Sequence, residues 1–170
     1  MTDKHTALLD KLVDYVLTEG LGAASLRPMA KAAGTSDRML LYYFKDKDAL
    51  IAEVLQHGAA RLMAVFSAPG ELEKLPREAL ARKLYNLMTS PDIWPYARLW
   101  LEIAAGAAGG DDTLRDIGGA IGRGFMEWGG AQLDCAEADR AAEAARLLVT
   151  VEGMILLKSL GLDDVNAALR

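Results

Sequence analysis

The side chains with the clearest capacity for binding chemistry lie between Ser25 and Lys47. Arginine and lysine can neutralise phosphate oxygens, and arginine can also bind guanine O6 and N7 through two hydrogen bonds. Hydroxyl groups can donate to phosphate, and an apolar thioether can contact the methyl group of thymine. The residues that we expect to contact DNA are Ser25, Arg27, Thr35, Ser36, Asp37, Arg38, Met39, Tyr42, Tyr43 and Lys47.

Several of these residues also have an ordinary structural interpretation. Thr35 and Ser36 could cap a helix, a role that is compatible with donation to phosphate. Arg27 could be a solvated charge at a helix end. Tyr42 or Tyr43 could pack against the first helix of the chain instead of binding the DNA backbone. The residue types alone leave these alternatives open.

Two short helices joined at Gly34 are predicted to position these side chains. The first follows Ser25, whose hydroxyl can cap the amide of Arg27. Pro28 falls in its first turn, where the missing N–H has no intrahelical partner to lose. Gly34 suits the left-handed conformation that ends many helices. The second helix is predicted over about Asp37 to Phe44, and such a pair can place one helix in a DNA groove.

The second helix is predicted to bury Leu40, Leu41 and Phe44 and to leave its polar and thioether side chains outside. Asp46 is predicted to cap the next helix, which Lys47 opens. The bend between the two short helices would then present the outward side chains as a protruding ridge.

This arrangement resembles the N-terminal helix-turn-helix of the TetR family of bacterial transcriptional repressors, over about the first third of the chain. The matching residues are Gly20-Leu21, Ser25-Leu26-Arg27, Met29-Ala30, Ala33-Gly34-Thr35-Ser36, Leu40, Tyr43-Phe44, Lys47 and Leu50. Leu41 departs from the pattern because the family usually has tyrosine there, and Arg38 stands where a small residue is common. The resemblance implies that Arg27 reaches a phosphate or a guanine edge. It leaves Tyr42 or Tyr43 to supply the family's tyrosine–phosphate contact.

The whole chain is predicted to be all-α, because no stretch shows the alternation typical of strands. A three-helix helix-turn-helix module is predicted at residues 1–50, joined by a long helix to a larger helical bundle at residues 51–170. The predicted helices outside the motif are residues 4–19, Lys47 to near Pro69-Gly70, 71–89 with a kink or split at Pro76, 93–107, 113–132 and 136–160, followed by a short terminal turn at Asp163.

Composition is that of an ordinary folded protein. The 170 residues are 52% hydrophobic and 25% charged, which argues against global disorder. Cys135 is the single cysteine and cannot form an internal disulfide, which fits a reducing compartment. Because there is no run of 18 or more apolar residues and the N-terminus is charged, we predict a cytoplasmic protein without a membrane partner.

The net charge of −5 is unevenly distributed. Residues 1–50 hold seven Lys/Arg and seven Asp/Glu, so the acidic excess lies in the remaining 120 residues. A neutral module can bind DNA if its positive groups cluster, because affinity depends on local phosphate contacts. The charge is therefore compatible with DNA binding without indicating it.

Apolar and aromatic residues of the C-terminal part could line a cavity for a small hydrophobic ligand. Filling the core is the commoner role for such residues. The candidate ligand-binding residues are Met88, Trp94, Trp100, Phe125 and Trp128. No catalytic set, metal-ligand spacing or cofactor motif is present in the sequence, so we predict neither an enzyme nor a cofactor.

The combined prediction is a ligand-responsive transcriptional repressor that binds a palindromic operator as a homodimer. The helices at 113–132 and 136–160 are predicted to pair with those of a second copy, because the later one is too apolar for a solvated helix. An alternative is a helical protein- or small-molecule-binding module that does not bind DNA.

Overall fold

The computed structural model describes residues 3–67 and 74–168, and helices form the regular structure of these ranges. The helices are α1 Asp3–Glu19, α2 Leu26–Ala33, α3 Asp37–Tyr43, α4 Lys47–Phe66, α5 Arg77–Met88, α6 Trp94–Ala108, α7 Asp112–Ala131, α8 Arg140–Ser159 and α9 Asp163–Ala167. Single 3₁₀ turns lie at Leu21–Ala23 and Glu137–Asp139. The predicted all-α class is confirmed.

Most predicted helix bounds lie close to the observed ones. The helix predicted at 71–89 is observed only after Pro76, as α5. The helix predicted from residue 136 is preceded by a 3₁₀ turn, and α8 itself starts at Arg140. The predicted end of α4 near Pro69-Gly70 and the predicted start at 71 lie outside the described residues.

The Cα positions divide the chain into two compact units. The N-terminal unit comprises Met1–Ser67 and Leu99–Gly119, and the second unit comprises Ala68–Arg98 and Ala120–Arg170. Most of α6 and the first residues of α7 therefore join the N-terminal helices. The division into a DNA-binding module at residues 1–50 and a helical bundle at residues 51–170 stays a prediction.

In the N-terminal unit α1 packs against α2 and α4. Its apolar stripe is buried, with Leu12 and Val13 fully inaccessible to solvent. Polar pairs flank this core, since His57 Nε2 of α4 lies 2.8 Å from Asp10 Oδ1 and Arg61 donates to Asp14 Oδ1 at 2.8 Å. Among the described helices only α4 is long and apolar enough to cross a membrane, and its packing on α1 accounts for that composition as part of the core.

The turn that leads into α2 is fixed by Glu102 from α6, a residue of the same unit. The Leu21 N–H donates to Glu102 Oε2 at 2.5 Å. Gly20 precedes this amide with φ of 84°, a left-handed conformation, and a Cβ atom there would lie 3.0 Å from Glu102 Oε1. The left-handed backbone favours glycine at this position, and the nearby carboxylate would crowd a side chain.

Replacing Gly20 by alanine is therefore expected to lower the free energy of unfolding by about 1–2 kcal/mol, through backbone strain and crowding of the Glu102 carboxylate. Urea denaturation followed by circular dichroism measures the change. Gly22→Ala is the matched control, because a Cβ there would meet nothing within 4 Å. Equal stability losses in the two variants would contradict the assigned role of Gly20.

In the second unit α5 packs against α8. Arg77 Nε donates to Glu143 Oε2 at 2.8 Å, and Arg146 donates to the other oxygen of the same carboxylate. The buried Asn166 side chain holds α9 in place by donating to the Met154 carbonyl at 2.9 Å. The extended residue Leu75 adds a parallel bridge to Leu133.

Glu143 is expected to make stability in the second unit depend on pH. The hydrogen bond from Arg146, and after it the bond from Arg77, lower the pKa of Glu143 below its ordinary value. A lowered folded-state pKa stabilises the protein above the unfolded-state pKa, and this stabilisation is lost as the pH falls through the folded-state pKa. Glu143→Gln should thus be less stable than wild type in urea at about pH 7, and the difference should shrink at about pH 3. A difference that stays constant between the two pH values would contradict this account.

Candidate nucleic-acid interface

The bend between α2 and α3 forms as the sequence predicts. Met29 and Ala33 of α2 are buried, and Gly34 follows with φ of 70°. The Gly34 N–H donates to the Lys31 carbonyl at 3.2 Å, and the Thr35 N–H donates to the Ala30 carbonyl at 2.9 Å. These bonds satisfy the last carbonyls of α2 and turn the chain sharply into α3.

The predicted cap by the Ser25 hydroxyl is wrong. Ser25 has the extended backbone of a cap residue, but its side chain makes no capping hydrogen bond. A capping hydroxyl accepts from the second or third amide of its helix, and the third residue here is Pro28, which has no N–H. The Ser25 side chain is exposed just before α2.

Local capping fixes the start of α3 and of α4. Ser36 Oγ accepts from the Met39 N–H at 3.3 Å, and Asp46 Oδ1 accepts from the Ala49 N–H at 2.8 Å. Lys47, the first residue of α4, is exposed, whereas Thr35 and Asp37 are half-buried. The predicted cap by Asp46 is confirmed.

The outward face of α3 carries most of the predicted contact residues. Met39 is 40% exposed and Tyr42 is 79% exposed, and Arg38 is exposed as well. The Tyr43 ring lies against His5 of α1, with centroids 5.9 Å apart. Tyr43 therefore packs partly against the first helix and stays 37% exposed, and Tyr42 is the more exposed of the two tyrosines.

The prediction that Leu41 faces inward is wrong. Leu40 and Phe44, four residues apart, are buried, while Leu41 is 45% exposed. Successive helical residues are separated by about 100° around the axis, so Leu41 is turned away from Leu40. The seven-residue α3 packs with the side that carries Leu40, so Leu41 stays exposed. Sequence reasoning therefore missed Leu41 as a surface residue, because its apolar side chain indicated the core.

The positive charges of the motif are clustered. Residues 25–47 contain five Lys/Arg and two Asp/Glu, a local net charge of +3. All five cations are exposed, and they are Arg27, Lys31, Arg38, Lys45 and Lys47. Asp10 and Asp14 of α1 are paired with His57 and Arg61, as described above. This segment has the clustered positive charge that phosphate binding requires although the first 50 residues are neutral overall.

The predicted ligand-binding residues are divided between the two units. Trp100 belongs to the N-terminal unit, and Met88, Trp94, Phe125 and Trp128 belong to the second. Met88 is buried, and the four aromatic residues are half-buried. An open hollow of about 350 Å³ on the N-terminal unit is lined by α1 and α2 residues and contains none of the five. Their role in ligand binding stays a prediction.

Helix α3 thus presents arginine, tyrosine and apolar side chains on a cationic bend, the arrangement of a helix-turn-helix DNA-binding protein. Residues 9–54 match the sequence profile of the bacterial regulatory proteins of the tetR family. In the residues that the structure describes, no three His, Cys, Asp or Glu side chains are grouped as metal ligands would be.

Solved structures share the fold over nearly the whole chain. A candidate TetR-family transcriptional regulator from Rhodococcus sp. matches 99% of this chain and 95% of its own, with a TM-score of 0.77 and 22% identity. A transcriptional regulator from Rhodococcus sp. Rha1 matches 96% and 87%, with a TM-score of 0.72 and 27% identity. A candidate TetR regulator from Streptomyces avermitilis matches 97% and 91%, with a TM-score of 0.68 and 17% identity. No curated protein sequence matches the chain.

Residues 9–54 thus form a DNA-binding domain of the tetR type, and the chain is a DNA-binding transcriptional regulator.

Proposed function

We propose that this regulator is a ligand-responsive repressor that acts in the cytoplasm and binds a palindromic operator as a homodimer. The observation that carries the proposal is the cationic bend with α3 exposed on it. Each subunit would insert α3 into a major groove. Two-fold symmetry then requires half-sites whose centres are about 34–36 Å apart or a multiple of that distance.

The proposed DNA contacts follow the exposure of the side chains. Arg38 and Met39 would contact base edges from α3, and Tyr42 would donate its hydroxyl to phosphate. The DNA backbone would be contacted around them by Arg27, Ser36, Lys47, Ser25, Thr35 and Tyr43. The Asp37 carboxylate would instead accept from a cytosine N4 amino group.

An exposed apolar face on α8 supports dimerisation. Val149 is 72% exposed, Leu156 is 49% exposed, and Leu160 just beyond the helix is 65% exposed. Val149, Gly153 and Leu156 follow one another at four- and three-residue steps, so they share one side of the helix. A Cβ at Gly153 would meet nothing within 4 Å, which leaves room for close approach of another helix. We propose that α7 and α8 pair with those of a second subunit through this face.

The effector is proposed to be a small hydrophobic molecule bound among aromatic residues of the C-terminal part. Such a molecule can release the repressor only if it binds the DNA-free arrangement more tightly than the DNA-bound one. Met88, Trp94, Phe125 and Trp128 of the second unit are the candidates for one site, and Trp100 of the N-terminal unit is a separate candidate. The half-buried aromatic rings supply the apolar surface that such a ligand needs.

Gel-shift titration at several salt concentrations tests the function. The probes are duplex from the region upstream of the gene and a random duplex of equal length. We expect tight binding to the first, weak binding to the second, and a steep decrease of both affinities with salt as counterions are released. A docking module that does not bind DNA would bind neither probe even at low salt, and that outcome would contradict the proposal.

A further inference from the structure

We infer that Leu41 reads the methyl group of a thymine in the base pair next to the guanine bound by Arg38. The inference rests on the proposed function and specifies part of the sequence that α3 recognises. Leu41 is 45% accessible, whereas Leu40 and Phe44, with which its apolar character groups it, are buried.

The position of Leu41 places it on the DNA-facing side of α3. With about 100° per residue, Leu41 lies about 60° around the axis from Arg38 and on the opposite flank from Met39. Arg38 and Tyr42 occupy the middle of the same face, opposite the buried Leu40. Leu41 is therefore a direct neighbour of the arginine that we assign to a base edge.

The spacing along the helix fits adjacent base pairs. Three residues advance the helix by about 4.5 Å, close to the distance of about 3.4 Å between neighbouring base pairs of each DNA strand. When Arg38 binds guanine O6 and N7, the Leu41 side chain is within reach of the next pair. Thymine is the base that offers an apolar group in the major groove, its 5-methyl.

The surroundings of Leu41 favour DNA over a protein partner. The exposed cations Arg27, Lys31 and Lys45 belong to the same motif, whose net charge is +3. An apolar side chain inside such a cationic surface suits an anionic partner that presents an isolated methyl group. A large apolar protein interface would instead be depleted of charge at its centre.

The test uses the full-length protein and a duplex selected by it from a random pool. Arg38→Ala identifies the guanine, since discrimination at that position is lost in the variant. Thymines in the neighbouring pairs are then replaced by deoxyuridine, which removes only the methyl group. Wild type should lose affinity about fourfold for each half-site, the effect of burying one methyl group.

Leu41→Ala should bind the thymine and deoxyuridine duplexes equally, because the contact is already gone. Val65→Ala is the matched control, as Val65 is an apolar α4 residue of similar exposure that is assigned to no DNA contact, and it should retain the fourfold difference. The inference would be overturned if deoxyuridine left the affinity of wild type unchanged, or if it lowered the affinity of wild type and of Leu41→Ala equally. Either result would leave the proposed function intact. Selection that returns no preferred sequence would instead contradict the proposed function, and this inference with it.

Discussion

Replacing Arg27 and Arg38 together by alanine is expected to abolish specific DNA binding. Both side chains are exposed, one at the start of α2 and the other on the outward face of α3. An arginine contact with a guanine edge contributes about 1–3 kcal/mol, and a dimer would lose two such contacts of Arg38 together with two phosphate contacts of Arg27. We therefore expect the affinity for the operator to fall by about a thousandfold or more. Fluorescence anisotropy with a labelled operator duplex at fixed salt measures this loss.

A charge-matched control separates the loss of direct arginine–DNA contacts from the loss of overall positive charge. Arg82 and Lys83 are exposed on α5, and their double alanine variant removes the same amount of positive charge. It should bind within a few-fold of wild type. Circular dichroism and sedimentation must show that both variants keep their helicity and oligomeric state. If Arg27→Ala/Arg38→Ala binds as tightly as wild type, the assignment of these contacts is wrong.

Replacing Val149 and Leu156 by glutamate is expected to convert the dimer into a monomer. Both residues lie on the exposed apolar face of α8, and dimerisation would bury two carboxylates per subunit without a partner. Operator affinity should then fall by about a hundredfold or more, because a monomer loses the effective concentration that joins two DNA-binding heads. Analytical ultracentrifugation measures the mass, and operator titration of the same sample measures the affinity.

Val65→Glu is the control, since Val65 is an exposed valine of α4 and the substitution introduces one of the same carboxylates away from α8. This variant should remain dimeric. Persistence of the dimer in Val149→Glu/Leu156→Glu would show that the subunits pair through another surface, and the α8 interface would have to be abandoned.

Local patterns predicted the motif well. Gly34 adopts the left-handed conformation, and Asp46 caps the helix that it precedes. Such features depend on a few neighbouring residues, so residue type and spacing suffice to recognise them. The α1 stripe was equally accessible to prediction, because one face of a helix repeats every three or four residues.

Features that depend on tertiary structure could not be predicted from the sequence. Leu41 was assigned to the core because its side chain is apolar, whereas the narrow packing face of α3 decides its exposure. The Leu21 amide meets a carboxylate 81 residues away, a pairing that no local pattern indicates. The same holds for the grouping of residues 99–119 with the N-terminal helices. The Ser25 cap was wrong as well, although Ser25 has the extended backbone of a cap residue.

The most direct measurement of the central claim is protection of guanine N7 from methylation by dimethyl sulfate on the selected duplex. N7 faces the major groove, and Arg38 is expected to cover it. We expect two protected major-groove segments related by two-fold symmetry, with centres about 34–36 Å apart or a multiple of that, and loss of protection with Arg38→Ala. A bound complex in which every guanine N7 stays reactive would contradict the insertion of α3 into the major groove.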